Sequence, residues 1–385
     1  MLELKYRNDS FSEIRVSEDL SEIEKCLENL LYVPDLKLKP EIIFRLINHL
    51  KNEFSDQRKK LRIFIAYDNN NPVGFIIGKI DLNYRSYGRK SGTFGWLIAK
   101  NFETCKSLIE RCERFMKNNK IRRLRGPINF PKGLGGMGIQ TKGFYHDMMY
   151  GVAFGDPNSN LITFLDKLGF KRESKYTCVY VLEPDWKKGQ NLSKKIELRY
   201  LTLDEIYEKK NEIHELANDS FQVILPDRSG FDDRFEEMID VYSQIPKSFY
   251  KLKKALNYED FINRPQFSEA WKSCNIEKVI NFAPMAFDKR KNKLIGAILS
   301  FPDLYQVWLN QSLTRVNVDT VMIHKDYAGK GIFSNLTNIG RLTLGFFGIN
   351  YVEGTYIWSN NKKAIETIFP HSLALRTHYV VQKKL

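Results

Sequence analysis

Two stretches of this 385-residue chain, 222 residues apart, run Val-Gly-Phe-Ile-Ile-Gly-Lys-Ile-Asp-Leu and Ile-Gly-Ala-Ile-Leu-Ser-Phe-Pro-Asp-Leu, aligning Gly74 with Gly296, Asp81 with Asp303 and Leu82 with Leu304. Each closes a segment that reads as a β-hairpin. In Leu61–Leu82 two apolar, β-branched runs flank the turn cluster Asp68-Asn69-Asn70-Asn71-Pro72, and in Ile280–Leu304 the polar turn is Asp288 to Lys293. The elements that follow repeat as well. The first half continues with a strand over Gly92–Ala99, a helix over Phe102–Lys117 with Cys105, Leu108, Ile109, Cys112 and Met116 at helical spacing, and a strand over Ile121–Arg125. The second continues with a strand over Val316–Ile323, a helix from Ile332 to about Phe347 and strands over Tyr351–Trp358 and Thr377–Lys383. Helical segments precede each hairpin: Leu20–Leu31 and Pro40–Phe54, then Leu203–Asn218 and Phe231–Tyr242. A β-β-β-α-β order that occurs twice predicts a duplicated α/β domain, each copy a twisted mixed sheet flanked by helices. The polar stretch Glu183–Asn191, with Pro184 and Gly189, marks the boundary and divides the chain into domains at 1–187 and 191–385.

Charge narrows the range of partners. Sixty Lys and Arg against 46 Asp and Glu give a formal charge of +14, which favours anionic partners such as phosphorylated cofactors, nucleic acid or acidic lipid. The start, Met-Leu-Glu-Leu-Lys-Tyr-Arg, lacks the layout of a signal peptide, and no apolar run approaches the ~20 residues that span a bilayer, so a soluble, cytoplasmic protein without a membrane partner is expected. The five cysteines, Cys26, Cys105, Cys112, Cys178 and Cys274, show no C-x-x-C spacing, and the six histidines show no metal-binding spacing; reduced thiols in packing roles and no metal are the expectation. The run Lys117–Arg125 carries five cations after a helix end, which the helix dipole favours. It matches no nucleic-acid-binding motif, so nucleic acid is not an expected partner.

Chemistry enters with the segment Val316–Leu336, where a β-branched run turns through Gly329 and Gly331 into an apolar-periodic helix. A strand feeding a helix through glycines points several backbone N–H groups at one place, with the positive end of the helix dipole behind them, and that place suits a phosphate. The Walker pattern G-x-x-x-x-G-K-[ST] does not occur. Gly133 to Gly138 reads literally as G-x-G-x-x-G, but neither a strand before it nor an amphipathic helix after it makes a dinucleotide site, and it is read as a mobile loop over an acceptor pocket.

The segment Ile323 to Phe333 resembles the pyrophosphate loop of the GNAT superfamily of N-acyltransferases, with Ala328 where the family has Arg or Gln and Phe333 where it has a small residue. Asn361-Lys362-Lys363-Ala364 is similar to the N-x-x-A opening of that family's next helix, and Arg125-Gly126-Pro127-Ile128-Asn129-Phe130 with Leu168-Gly169-Phe170 resembles bacterial tandem GNAT proteins. The first half then looks like a degenerate copy: Trp96 to Cys105 has no glycine turn ahead of its helix, and this half shapes the acceptor pocket. The resemblance implies acetyl-CoA or another acyl-CoA as co-substrate, held by Ala328, Gly329, Lys330, Gly331, Ile332, Phe333, Ser334 and Asn361 and by the strand residues Val321, Met322 and Ile323. Its implied reaction is direct attack of a small-molecule amine on the bound thioester.

Acyl transfer to an amine needs a neutral amine, a donor for the developing oxyanion and a proton for the leaving thiolate. The resemblance places the oxyanion donor among the backbone amides near Met322 or Ile323. Strand alternation puts Asn317, Asp319, Val321 and Ile323 on one face, so Asp319 is a candidate base, with Glu353 on the next strand a second. Ile368 occupies the place of the family's acidic tyrosine, which leaves Tyr356, Tyr379 or protonation of the thiolate by solvent to act instead. His324 and His371 read as surface polar groups. Transfer from a longer acyl-CoA or an aminoacyl-tRNA is one alternative, with tRNA as partner in that case only, and a non-catalytic ligand-binding scaffold of the same fold is another.

Overall fold

The first hairpin forms because Asn69 and Asn70 both adopt left-handed backbone angles, φ 48° and 64°, as a two-residue hairpin turn requires. The computed structural model describes residues 13–182, 192–221, 225–250, 282–362 and 364–385. The boundary read at Glu183–Asn191, the opening residues of the second hairpin, Cys274 and Lys363 lie outside them. The first half contains β1 (Glu13–Ser17), α1 (Leu20–Leu30), α2 (Lys39–Ser55), β2 (Lys59–Asp68), β3 (Asn71–Asp81), the two-residue strands β4 (Arg85–Ser86) and β5 (Arg89–Lys90), β6 (Gly92–Ala99), α3 (Phe102–Asn118), β7 (Arg123–Gly126), α4 (Lys132–Gly135), β8 (Ile139–Lys142), α5 (Leu161–Lys167) and β9 (Lys171–Val181). The second contains β10 (Ile196–Arg199), α6 (Leu203–Glu208), α7 (Lys210–Ser220), α8 (Phe231–Ser243), β11 (Met285–Asp288), β12 (Lys293–Pro302), α9 (Leu304–Trp308), β13 (Arg315–Ile323), α10 (Ile332–Phe346), β14 (Tyr351–Trp358) and β15 (Ser372–Lys384).

Period-two alternation along β2 and β3 serves two cores. Ile63, Ile65, Phe75 and Ile77 join Ile23 and Leu27 of α1 and Ile42 and Leu46 of α2, whereas Phe64, Ala66, Ile76 and Ile80 meet Cys105, Leu108 and Cys112 of α3. Asp81 and Asp303, aligned in sequence, do matching work: Asp81 accepts the Asn83 amide at 2.7 Å, and Asp303 caps α9 by accepting the Tyr305 amide at 3.3 Å. The basic run is not one surface patch, because Arg125 turns inward, fully buried, onto Asp227.

The predicted mixed α/β architecture is present, and its two halves are joined in one sheet. Thirteen strands among the described residues run in the order β1-β2-β3-β6-β7-β15-β9-β14-β13-β12-β11-β10, with β8 added to β15. The last strand of each half lies in the other. β9 pairs antiparallel with β14, and β15 pairs with β7 as well as with β8 and β9.

Candidate functional site

β13 and β14 are parallel neighbours from Arg315 opposite Tyr351 to Val318 opposite Gly354, and there the pairing stops although both strands continue. β12 stays with β13 as far as Gly296 opposite Ile323. A β-bulge makes the difference: Leu299 pairs Thr320 and Ser300 pairs Val318, leaving Asp319 as the extra residue. The consequence is unusual for a strand inside a wide sheet, since Val318, Asp319, Thr320 and Val321 are only half-buried. The bulge also corrects the expected alternation. Past the extra residue the side-chain order shifts by one, so the face of Asn317 continues at Thr320 and Met322 rather than at Val321 and Ile323.

β13 leads into His324, a 3₁₀ turn at Lys325–Tyr327, and the glycine corner. Gly329 and Gly331 both sit at left-handed angles, φ 76° and 74°, where a side chain is strained. A Cβ built on Gly329 meets nothing within 4 Å, so the corner faces open space. Gly331 begins α10 without a side-chain cap or an acidic residue in the first turn. Lys330 folds back, its Nζ 2.7 Å from the Asp326 carbonyl and 4.8 Å from the Tyr327 ring centre. Ile332 is buried, and Phe333 packs half-buried against the core. Asn361 accepts the Ala364 amide at 3.2 Å and opens a short π-helical turn, Ala364–Ile368.

The same corner of the first half is built shut. β6 and β7 are also parallel, pairing Gly92 with Leu124 and Thr93 with Arg125, and β6 carries a bulge of its own. The chain beyond β7 then bridges the parting: the Ile128 amide donates to the Phe94 carbonyl at 2.7 Å, and the Trp96 amide donates to Asn129 Oδ1 at 2.7 Å. β6 is buried from Gly92 to Leu97. The helix that follows is capped by Asn101, whose Oδ1 accepts the Thr104 amide at 2.8 Å, and Glu103 adds an acidic group to its first turn.

Of the candidate acid–base groups, Asp319 and Tyr356 border the open parting, and Glu353 does not reach it. Glu353 is fully buried, paired with Arg376 of β15 and 3.3 Å from the Tyr351 hydroxyl; burial pushes its carboxyl up while Arg376 pulls it back, leaving it above its ordinary value. Asp319 is held by Arg234 Nη2 at 3.1 and 3.0 Å and accepts the Thr320 hydroxyl at 2.7 Å. Burial opposes its ionisation, yet Arg234 and Lys132 outweigh burial and keep it below the usual carboxylate range. Tyr356 stands at φ 50° beyond the parting. Its hydroxyl oxygen accepts two amides, from Met137 at 2.7 Å and Ala153 at 2.6 Å, and burial pushes its ionisation well above that of an ordinary tyrosine. Tyr379 lies on β15 between β8 and β9 with its ring against Arg172, away from β13. His371 is exposed as expected, but His324 is not a surface group: it is 5% exposed, its Nε2 is 2.8 Å from Asp219, and its Nδ1 accepts the Asp326 amide at 3.2 Å, fixing the strand end.

Three residues that sequence reasoning missed complete the cleft. Arg234 and Glu237 on α8 pair with each other, and Glu237 also accepts the Gly133 amide; Lys132 on α4 lies with Nζ 5.8 Å from the Tyr356 ring centre. Nothing local in α8 marks Arg234. Lys132 sits just ahead of the glycine stretch read as a mobile loop, which is in fact a hydrogen-bonded turn held from both halves: Trp96 Nε1 donates to Phe130 O at 2.8 Å, and the Tyr305 hydroxyl donates to Leu134 O at 3.0 Å. Among the described residues no group of His, Cys, Asp and Glu is placed to hold a metal ion, and no helix is long and apolar enough to cross a membrane.

No protein-family profile and no curated protein sequence matches this chain. Solved structures do. A tandem GNAT protein from the clavulanic acid biosynthesis pathway, in a form without acetyl-CoA, is 10% identical, with 97% of this chain and 98% of that one covered at a TM-score of 0.52. The chain has the tandem GNAT fold. A GCN5-related N-acetyltransferase from Sphaerobacter thermophilus aligns over 98% of this chain and 96% of that one, at 10% identity and TM-score 0.50. Another from Anabaena variabilis aligns over 97% and 73%, at 9% identity and TM-score 0.50. In this tandem GNAT fold the parting of β13 and β14 with the glycine corner belongs to the second copy, and the bridged parting of β6 and β7 to the first.

Proposed function

We propose that the chain is an N-acyltransferase that binds acetyl-CoA or another acyl-CoA in its second half and transfers the acyl group to an amine in the cleft between the halves. The observation that carries this reading is the half-exposed stretch Val318–Val321 in the middle of a sheet, open where β13 leaves β14 and continuous with the glycine corner. The diphosphate lies against the turn at Gly329 to Ser334, where the start of α10 supplies partial positive charge. The pantetheine arm runs along β13 toward Asp319, four residues and about 13 Å from Ile323 at ~3.3 Å per residue. A backbone N–H of the unpaired strand edge near Met322 or Ile323 stabilises the oxyanion.

The acceptor enters past α4 and α8. Asp319, kept ionised by its ion pair with Arg234, attracts the ammonium form of an amine but is too weak a base to deprotonate it. Tyr356, with both amide donors on its oxygen, offers a hydrogen bond into the cleft rather than a proton. The first copy, with its parting bridged and its helix capped, binds no acyl-CoA and serves as the wall of the acceptor site.

The test is calorimetric titration with acetyl-CoA together with thiol release across a panel of amines, using Gly331→Asp as the variant. The wild type binds and releases thiol, and the variant loses at least ~100-fold in affinity, about 2.7 kcal/mol, because a carboxylate meets the diphosphate. Equal affinity in the variant, or no thiol release by the wild type with any amine, overturns the proposal.

A further inference from the structure

Resting on the acyltransferase reading, we propose that Lys132, carried by the first half of the chain, is the proton acceptor for the amine in the cleft of the second half and passes that proton to the departing sulfur. Its backbone position is fixed. Leu134 N and Gly135 N both donate to the Pro131 carbonyl at 3.0 Å, Gly136 N donates to the Lys132 carbonyl at 2.7 Å, and the Gly133 amide is anchored on Glu237. The side chain reaches the same cleft as Asp319 and Tyr356 and remains partly open to solvent.

The groups around Lys132 come from every element packed on it. The charges of Arg234 and Glu237 on α8, of Asp319 on β13 and of Asp227 ahead of α8 act on it, the Tyr356 ring of β14 lies 5.8 Å from its Nζ, and Tyr150 lies against the neighbouring Gly133. Asp319 and Glu237, the acids that act on it most strongly, are already paired with Arg234, and among the described residues no carboxylate comes within 4 Å of Lys132 Nζ. Burial and the Arg234 charge push Lys132 below the usual lysine value against the pull of Asp319 and Glu237. A lysine whose value is lowered in this way, placed where an amine must lose a proton, supplies the base that the ion-paired Asp319 and the walled-off Glu353 do not.

The ammonium drawn in by Asp319 gives its first proton to solvent; the lone pair of the neutral amine then forms the N–C bond at the thioester carbonyl, and the C–S bond breaks with its electron pair leaving on sulfur. The N–H proton that must leave passes to neutral Lys132, and the resulting ammonium protonates the thiolate, so amine and thioester become amide and thiol with Lys132 restored.

Two measurements on the full-length protein test this. In competitive labelling with limiting acetic anhydride over a pH series, read by peptide mass spectrometry, Lys132 reacts with a midpoint below that of a free lysine peptide in the same tube; a midpoint equal to the peptide's overturns the inference without touching the acyltransferase reading. In steady-state assays Lys132→Arg and Lys132→Ala keep wild-type affinity for acetyl-CoA but lose ~100-fold or more in kcat/KM, and the acid limb of the pH profile disappears. Trimethylamine, a base that cannot form an amide, restores part of the Lys132→Ala activity. Full activity and an unchanged pH profile in Lys132→Arg overturn the inference, because a charge alone then suffices. A wild type that binds acetyl-CoA but releases no thiol with any amine overturns the acyltransferase reading, and this inference with it.

Discussion

The partings at β6/β7 and β13/β14 occupy the same place in two copies of one topology, yet one is closed and the other open. In the first copy the strand after the parting returns to β6 through the Ile128 amide, Asn129 fills the gap, and Asn101 caps the next helix. In the second, Asp319 is bulged out, the strand stays half-exposed, and a glycine without a side-chain cap begins the helix. Topology thus creates the gap in both copies. Whether a ligand can occupy it depends on a handful of backbone and side-chain hydrogen bonds that either satisfy the local polar groups internally or leave them for another molecule.

The most severe way to break the comparison is to separate the copies. Among the described residues β9 pairs with β14 and β15 and with no other strand, and without β15 the β7 side of the first sheet becomes an exposed edge. Residues 1–187 expressed alone therefore fail to fold cooperatively, as read by circular dichroism and thermal melting; a sharp two-state melt of that fragment contradicts the exchange of strands.

Acidification probes the same join. His378 on β15 and His49 on α2 are both pushed down to about 4, mainly by burial. The unfolded chain takes up these protons near pH 6.5 and the folded chain does not, so stability is full above that value and falls as pH drops toward 4. The expected loss is about 2 kcal/mol per histidine at pH 5. His378→Asn shallows the slope of thermal midpoint against pH in that window; an unchanged slope refutes the assignment to His378.

A methyl group sharpens the contrast between closed and open corners. At Gly95 a Cβ falls 2.3 Å from the Ile128 carbonyl oxygen, a backbone atom that cannot swing away. Gly95→Ala costs roughly 1–3 kcal/mol in chemical denaturation without altering acyl-CoA affinity. Gly329→Ala meets no atom, so it costs only the left-handed strain, about 1 kcal/mol, while weakening acyl-CoA binding. The reverse pattern of stability and affinity removes the basis of the comparison. Smallest of all, Asn101→Ala loses about 1 kcal/mol of stability and creates no acyl-CoA site, because the bridge from Ile128 and Asn129 remains; new binding at the first copy shows that capping, not bridging, is what closes it.

Much of the fold is legible in the residues. The hairpins, the strand Gly92–Ala99, the strand Tyr351–Trp358 and the start of the helix at Ile332 follow from alternation, helical spacing and turn chemistry, which act over a few neighbouring residues. The glycine corner is legible for the same reason. The site's charges are not. Asp319 and Glu353 look alike in sequence, and only their surroundings differ: Arg234 of α8 on a half-exposed stretch of β13 for one, Arg376 in a closed core for the other.

The sequence by itself determined the repeat, the order of the elements and the glycine turn at Gly329 and Gly331, because period and backbone conformation are local properties. Only the tertiary structure decided that the last strands change places, that the first copy seals its own parting, and that Lys132 reaches the cleft of the second copy. Those outcomes depend on residues 33 positions apart for Trp96 and Asn129 and much farther apart for the exchanged strands and for Lys132 with Tyr356, whose approach no local pattern encodes.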